Sequence, residues 1–83
     1  DGDVTWPNAM KWAESIGGSL PDRQESALLY ANCKARFSPA WYWTSEEHTN
    51  ASCAWGCLFD DGHQGSLYES YAGCARAVRR LNP

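Results

Sequence analysis

The sequence predicts one small α+β domain over residues 1–83, with two helices packed on one face of an antiparallel sheet of about four strands. Two observations lead to this fold class. Apolar residues recur at helical spacing as far as about residue 36, and they alternate with small or polar residues after Pro39. A chain of this length buries only about 60% of its unfolded surface, so the core is thin and the five tryptophans must supply much of it.

The first helix is expected to begin after Thr5 as its N-cap, with Pro7 in the first turn, where a missing N–H costs nothing. Gly17-Gly18 ends it. Its apolar stripe consists of Trp6, Ala9, Met10, Ala13 and Ile16.

A second helix is predicted from about Arg23 to Lys34 or Arg36, after the extended link Ser19-Leu20-Pro21. Asp22 and Glu25 have the spacing of a capping box, in which the two side chains bond each other's backbone N–H groups. Small and apolar residues share one face, which is expected to approach another element closely: Ala27, Leu28, Ala31 and Ala35.

Strand patterns follow Pro39. The sequence Trp41-Tyr42-Trp43-Thr44 has strand composition, and a polar turn follows it. Residues 52–59 alternate between bulky and small side chains, Asp60-Asp61-Gly62 is typical of a hairpin turn, and residues 63–71 form the return strand. Residues 74–81 are the predicted last strand. Trp43 and Trp55 are expected in the core, and either Trp41 or Tyr42 is expected to be exposed, because neighbours on a strand face opposite sides.

Charge and hydropathy exclude several partners. The net charge is −3 and the pI about 5.1, so no basic field exists to bind nucleic acid or an anionic membrane. No apolar run is long enough for membrane insertion, and no export leader is recognisable. The chain opens at Asp1 without a methionine, so removal of a leader or of a larger parent protein stays open, and with it the localisation.

Four cysteines allow a zinc site, disulfides or free thiols. On one strand, Cys53 and Cys57 would lie about 13 Å apart at ~3.3 Å per residue, which is too far for a disulfide and poor for one zinc ion. Free, partly buried thiols are favoured. A Cys33–Cys74 or Cys33–Cys53 bridge is the alternative for a secreted protein.

No catalytic site, metal site or cofactor is predicted. A nucleophile motif is absent from the sequence, and both histidines fall in loops or turns. The pairs Glu46-Glu47 and Asp60-Asp61 fit solvated loop and turn positions better than acid–base or calcium chemistry. Among the three arginines near the C-terminus, Arg76 or Arg79 is expected to pair with Asp22 or Glu25 and so to tie the last strand to the second helix.

The ordered motifs resemble the Lcl C-terminal-domain-like family of bacterial and phage proteins over about residues 5–81. The motifs that carry the resemblance are Trp6-x-x-Ala9, Trp12-Ala13, Gly17-Gly18-Ser19-Leu20-Pro21-x-Arg23-x-Glu25, Tyr42-Trp43-Thr44-Ser45, Ala54-Trp55 with Phe59-x-x-Gly62, and Arg76-Ala77-Val78-Arg79.

The resemblance implies a compact C-type-lectin-like fold, related to the phage and bacterial variable proteins that display a mutable ligand-binding face. It implies framework roles for Arg23, Glu25, Trp43 and Trp55 and for the Arg76-to-Arg79 motif. It also implies a non-enzymatic binding domain. The chain departs from full C-type lectins in lacking their N-terminal strands and the motifs of calcium-dependent sugar binding, and its cysteines do not follow the family's usual pattern. Calcium-mediated glycan recognition is therefore disfavoured.

The leading functional hypothesis is a non-catalytic module that binds a protein or glycan, with a protein slightly preferred. Alternatives are a small phage-encoded inhibitor of an intracellular host enzyme or defence complex, acting through an acidic surface, a small enzyme, and a structural virion module. An adhesin would act at a virion or cell surface, and an inhibitor in the host cytoplasm. The predicted ligand-binding residues are Glu46, Glu47, His48, Thr49 and Asn50 of the loop and Leu58, His63, Gln64, Tyr68 and Tyr71 of the hairpin.

Overall fold

A computed structural model describes residues 3–79 and has the predicted α+β architecture with three antiparallel strands. The helices are α1 (Trp6–Ser15) and α2 (Arg23–Cys33), and a 3₁₀ turn, Lys34–Arg36, continues α2. The strands are β1 (Trp41–Glu47), β2 (Cys53–Leu58) and β3 (Gln64–Tyr68), in the sheet order β1-β2-β3.

Helix α1 buries Ala9 and Ala13 completely, and the larger side chains of Trp6 and Met10 flank them. The predicted stripe is correct except at Ile16, which is 47% exposed because it lies beyond the last turn as the C-cap. Thr5 is the N-cap residue, but its side chain makes no capping hydrogen bond.

The capping box of α2 is confirmed. Asp22 Oδ1 accepts from Glu25 N at 2.7 Å, and Glu25 Oε1 accepts from Asp22 N at 2.8 Å. The predicted inward face is wrong, because Leu28 is 60% exposed and the three alanines predicted with it are exposed too. The face that packs on the sheet is instead formed by Ser26, Leu29 and Tyr30.

The sheet has a regular register except in β1. Trp43 pairs with Gly56, but the next pair is Glu47 with Ala54, so Thr44, Ser45 and Glu46 together lie opposite Trp55. This bulge carries the end of β1 away from the ladder. Ser45 N donates to Pro21 O at 2.9 Å, which attaches the bulge to the link before α2.

The predicted fourth strand is not formed in the described part of the chain. Cys74 lies parallel beside Tyr42 and bonds the backbone on both sides of it, and Val78 forms an isolated antiparallel bridge with Ser19. The segment therefore leaves β1 after one residue and crosses to the link between the helices. The last two residues of the predicted strand, Arg80 and Leu81, lie outside the described residues.

The two helices lie on opposite faces of the sheet, which corrects the predicted packing on one face. Trp43 packs with α1 in a core that includes Ala9 and Ala13, whereas its neighbour Tyr42 packs with Leu29 and Tyr30 of α2. Consecutive strand residues face opposite sides, so the two contacts require two faces. Both faces of this short sheet are thus partly covered, each by one helix.

The C-terminal arginines bond backbone carbonyl groups. Arg76 Nη2 donates to Arg36 O at 2.7 Å and its guanidinium lies over the Phe37 ring, while Arg79 Nη2 donates to Ile16 O at 3.3 Å. Within residues 3–79, neither guanidinium forms the expected ion pair with Asp22 or Glu25. Of the helices in this part of the chain, none is long and apolar enough to cross a membrane.

Candidate functional site

Helix α2 covers only part of the sheet face on which it packs. The uncovered part of that face is an open surface centred on Trp55. Helix α2 covers Tyr42, Cys57 and Phe59, toward one end of the strands. Trp55 lies further along the same face of β2 and is half-buried rather than enclosed. We call this region the Trp55 surface and define it by Arg23, Glu46, His48, Trp55, Gln64 and Tyr68.

The first residue of α2 lies over the indole. The Arg23 guanidinium carbon is 3.6 Å from the Trp55 ring centroid, a cation–π contact. Arg23 Nε donates to Gln64 Oε1 at 3.0 Å, and Gln64 Nε2 donates back to Arg23 O at 2.8 Å. Because the guanidinium is stacked and its Nε is bonded, its position is fixed before any ligand arrives.

Glu46 holds the start of α2 from the other side. Its Oε2 accepts from Arg23 N at 2.9 Å, across 23 residues of sequence. Together with the bond from Glu25 N to Asp22, this contact satisfies two of the N–H groups at the start of the helix. The positive group on this surface is therefore the Arg23 side chain and not the helix terminus.

His48 adds a second ring beside Trp55, with the two ring centroids 4.9 Å apart. The loop after β1 holds it, because Asn50 N donates to His48 Nδ1 at 3.0 Å and Ser52 N donates to Asn50 Oδ1 at 3.0 Å. A backbone N–H only donates, so Nδ1 accepts and the neutral ring carries its proton on Nε2. The loop therefore presents an aromatic ring with one remaining donor.

Tyr68 extends the surface along β3. It lies opposite Cys53, two pairs beyond the Trp55–Ser66 pair, so it shares the face of Trp55. Its side chain is 69% exposed, the most exposed large hydrophobic residue in the described chain. The small, exposed Ser66 separates Tyr68 from Gln64 on that face.

The predicted binding residues divide between this surface and other places. Glu46, His48, Gln64 and Tyr68 belong to the Trp55 surface, and the exposed Thr49 and Asn50 adjoin it in the His48 loop. The others are elsewhere: Leu58 pairs with Trp41 on the opposite face, His63 contacts the Trp41 ring, Glu47 pairs with Ala54, and Tyr71 contacts the edge of Trp43.

The inhibitor hypothesis requires the carboxylate pairs Glu46-Glu47 and Asp60-Asp61 to form one acidic surface, and they do not. Glu46 and Glu47 end β1, next to the start of β2, whereas Asp60 and Asp61 follow the end of β2. A six-residue strand separates the two pairs, about 20 Å at ~3.3 Å per residue. The acidic surface of the inhibitor hypothesis is therefore divided.

A different carboxyl pair does exist, between Glu47 and Glu69. The hydrogen bond with Glu47 raises the pKa of Glu69, and burial and the charge of Glu47 raise it further. Glu69 Oε2 is a buried oxygen with no hydrogen-bond partner within residues 3–79. The Glu69 carboxyl group is therefore protonated more readily than that of a separate glutamate.

All four thiols are free, as the sequence favoured. Burial raises the pKa of Cys57 and of Cys74, so both are poor nucleophiles at neutral pH. Across residues 3–79, no group of three or more histidine, cysteine, aspartate or glutamate side chains is placed to hold a metal ion.

The central residues of the surface are Arg23 and Trp55, for which the family resemblance implies framework roles. Alternation placed Trp55 with the buried Cys53 and Cys57, and it is correct about the face. It does not show that α2 covers only part of that face. The nearest signal in the sequence is Arg23 directly after the N-cap Asp22, since a first-turn residue lies at the end of its helix.

No protein-family model matches this chain, and no curated protein matches it either. The resemblance to the Lcl C-terminal-domain-like family thus stays a prediction.

Proposed function

We propose that this domain is a non-catalytic binding module that recognises a protein or glycan through the Trp55 surface. The observation that carries the proposal is the Arg23 guanidinium, stacked 3.6 Å over a half-buried tryptophan beside an exposed tyrosine. Tryptophan, tyrosine and arginine are the residues that most often dominate binding energy at protein interfaces.

Rigidity supports the same function. Arg23 is fixed by Gln64 and Trp55, and His48 is fixed by the loop backbone, so little side-chain entropy is lost when a ligand binds. Immobilising a free side chain at an interface costs about 0.5–1.5 kcal/mol, and these contacts have already met that cost during folding.

We propose further that the domain is a phage or bacterial module with a C-type-lectin-like fold, related to the Lcl C-terminal-domain-like family. The two-helix α+β architecture, the Asp22–Glu25 capping box and the buried Trp43 are compatible with that relationship. The Trp55 surface then takes the place of a calcium-dependent sugar site, for which the sequence has no motif.

The experiment is affinity capture from separate envelope and cytoplasmic fractions of candidate host bacteria, followed by titration of the captured ligand. Tyr68→Ala and His48→Ala are each expected to weaken binding at least tenfold. Tyr71→Ala is the matched control, since Tyr71 is also exposed but contacts Trp43, outside the Trp55 surface. If Tyr68→Ala binds like the unmodified protein, or no worse than Tyr71→Ala, the proposed surface is wrong.

The fraction that supplies the ligand separates two roles. An envelope protein or glycan supports adhesion, whereas a cytoplasmic enzyme or defence complex supports the inhibitor alternative.

A further inference from the structure

We propose that the outer edge of β3 binds an extended peptide segment of a protein partner by main-chain pairing, and that Arg23 binds an aspartate or glutamate side chain of that peptide. The inference rests on the proposed function, because it names the ligand class of the same surface. Two independent features support it. The first is the set of β3 backbone groups that face away from the sheet, and the second is the pair of Arg23 Nη atoms, which have no partner in the described chain.

The register of the hairpin fixes which backbone groups of β3 face outward. Leu58 N donates to His63 O at 2.8 Å, and Glu69 N donates to Ser52 O at 2.9 Å. In an antiparallel pair such bonds occur at alternate residues, so odd-numbered residues from 63 to 69 bond β2. The backbone groups of Gln64, Ser66 and Tyr68 therefore point away from the sheet.

Within residues 3–79, this outer row has one internal partner, because Tyr71 N donates to Tyr68 O at 2.8 Å. Three N–H groups and two carbonyl groups are left for pairing. The other edge of the sheet differs: Cys74 bonds the backbone of Trp41 and Trp43 and so covers β1. Proteins commonly protect an open edge with proline or lysine, and the sequence of β3, Gln-Gly-Ser-Leu-Tyr, has neither.

The guanidinium supplies the selectivity. Its Nε bonds Gln64, whereas neither Nη atom has a hydrogen-bond or ion-pair partner in the described chain. The nearby Glu46 bonds the backbone of Arg23 instead. A planar guanidinium held over an indole with its outer N–H groups free suits bidentate binding of a carboxylate.

The two features are adjacent. Gln64 belongs to β3 and holds Arg23 by two hydrogen bonds, and Arg23 lies over Trp55, whose cross-strand neighbour is Ser66. Side chains of an added strand alternate between faces, and one beside the small Ser66 would lie on the face of Arg23. A glycan does not satisfy a row of strand N–H and carbonyl groups, so the observations favour a peptide.

The test selects randomised nine-residue linear peptides displayed on phage for binding to the immobilised domain. We expect the enriched sequences to share an aspartate or glutamate at one position. For a synthetic enriched peptide, Arg23→Gln and Arg23→Lys are expected to weaken binding at least tenfold. Arg79→Gln, which removes a guanidinium bonded to Ile16 O away from this surface, is the matched control.

Ser66→Pro tests the main-chain pairing. It removes one outward N–H and no bond to β2, and proline is tolerated on edge strands in this position. We expect at least tenfold weaker binding of the same peptide, and a much smaller loss for Ser66→Ala, which keeps the N–H. Amide hydrogen exchange of the unmodified domain adds a measurement without substitution: bound peptide should slow exchange at Gln64, Ser66 and Tyr68 at least tenfold.

Several outcomes overturn the inference. These are no enriched peptide, enriched peptides without a shared acidic residue, or unchanged exchange at the three outward amides. A dimer in light scattering that Ser66→Pro dissociates would assign the edge to a second copy of the chain. Binding of uronic-acid oligosaccharides that is lost in Arg23→Gln but kept in Ser66→Pro would assign Arg23 to a glycan, and the proposed binding function would survive.

Discussion

The Thr44 hydroxyl should stabilise the bulge that shapes the Trp55 surface, and replacing it tests this directly. Thr44 is 0% exposed, and its Oγ1 donates to Trp55 O at 2.8 Å and accepts from Glu46 N at 3.2 Å. One hydroxyl thus joins β2 to the bulged part of β1. Thr44→Val keeps the shape of the side chain and removes both hydrogen bonds.

Thr44→Val is expected to lower the free energy of unfolding by about 1–3 kcal/mol. The reason is that Trp55 O and Glu46 N lose their hydrogen-bond partner and gain no bond to water. A single core in a domain of this size supplies about 3–5 kcal/mol, so the variant would lose a large part of its stability. For about 2 kcal/mol, the melting temperature should fall by about 8–16 °C. Thr44→Ser retains the hydroxyl and loses one buried methyl group, which costs only about 0.8 kcal/mol.

The assay is urea unfolding monitored by tryptophan fluorescence. The free energies of unfolding are compared between variants whose dependence on urea concentration has the same slope. The expected order of stability is the unmodified protein, then Thr44→Ser, then Thr44→Val. If Thr44→Val is as stable as Thr44→Ser or more stable, methyl packing and not the hydroxyl holds the bulge, and the reasoning is wrong.

Two further predictions concern Glu69 and the hairpin turn. Because the pKa of Glu69 is raised in the folded state, its contribution to stability is present below the unfolded-state pKa and is lost as the pH rises through the folded-state pKa. Glu69→Gln should therefore flatten the decline of unfolding free energy with rising pH, measured by urea titration at several pH values; an unchanged pH dependence would contradict the raised pKa. Gly62 has φ +84°, and an added Cβ would lie 2.8 Å from Tyr30 Cε2, so Gly62→Ala should cost about 1–2 kcal/mol or more in thermal unfolding. Gly65→Ala, where the nearest contact is 3.4 Å, should cost clearly less, and equal losses would contradict the account of the turn.

The features that sequence reasoning identified correctly depend on neighbouring residues. The Asp22–Glu25 capping box joins residues three apart, and the apolar positions of α1 repeat within one helix. The hairpin turn before β3 likewise depends on local glycine and aspartate chemistry. Each of these follows from chemistry within a few residues, so no knowledge of the rest of the fold is needed.

The incorrect expectations depend on where distant elements lie. Alanine spacing suggested the wrong face of α2, because small residues fit a close contact and an exposed surface equally well. Strand composition after Gly73 did not show that Val78 would bridge Ser19 instead of extending the sheet. The face of Trp55 was readable by alternation, but how far α2 extends over that face was not, because the packing of the helix determines it.

In the proposed function, stability and binding use the same residues, so the Trp55 surface does not divide into framework and ligand-binding residues. The capping box fixes the start of α2 at Asp22, and this placement puts Arg23 over Trp55. Glu46 bonds the backbone of Arg23 and, through its own backbone, the Thr44 hydroxyl opposite Trp55. A substitution that loosens this cap or the bulge should therefore weaken ligand binding beyond its effect on the folded fraction, because it also frees the guanidinium that the fold holds in place.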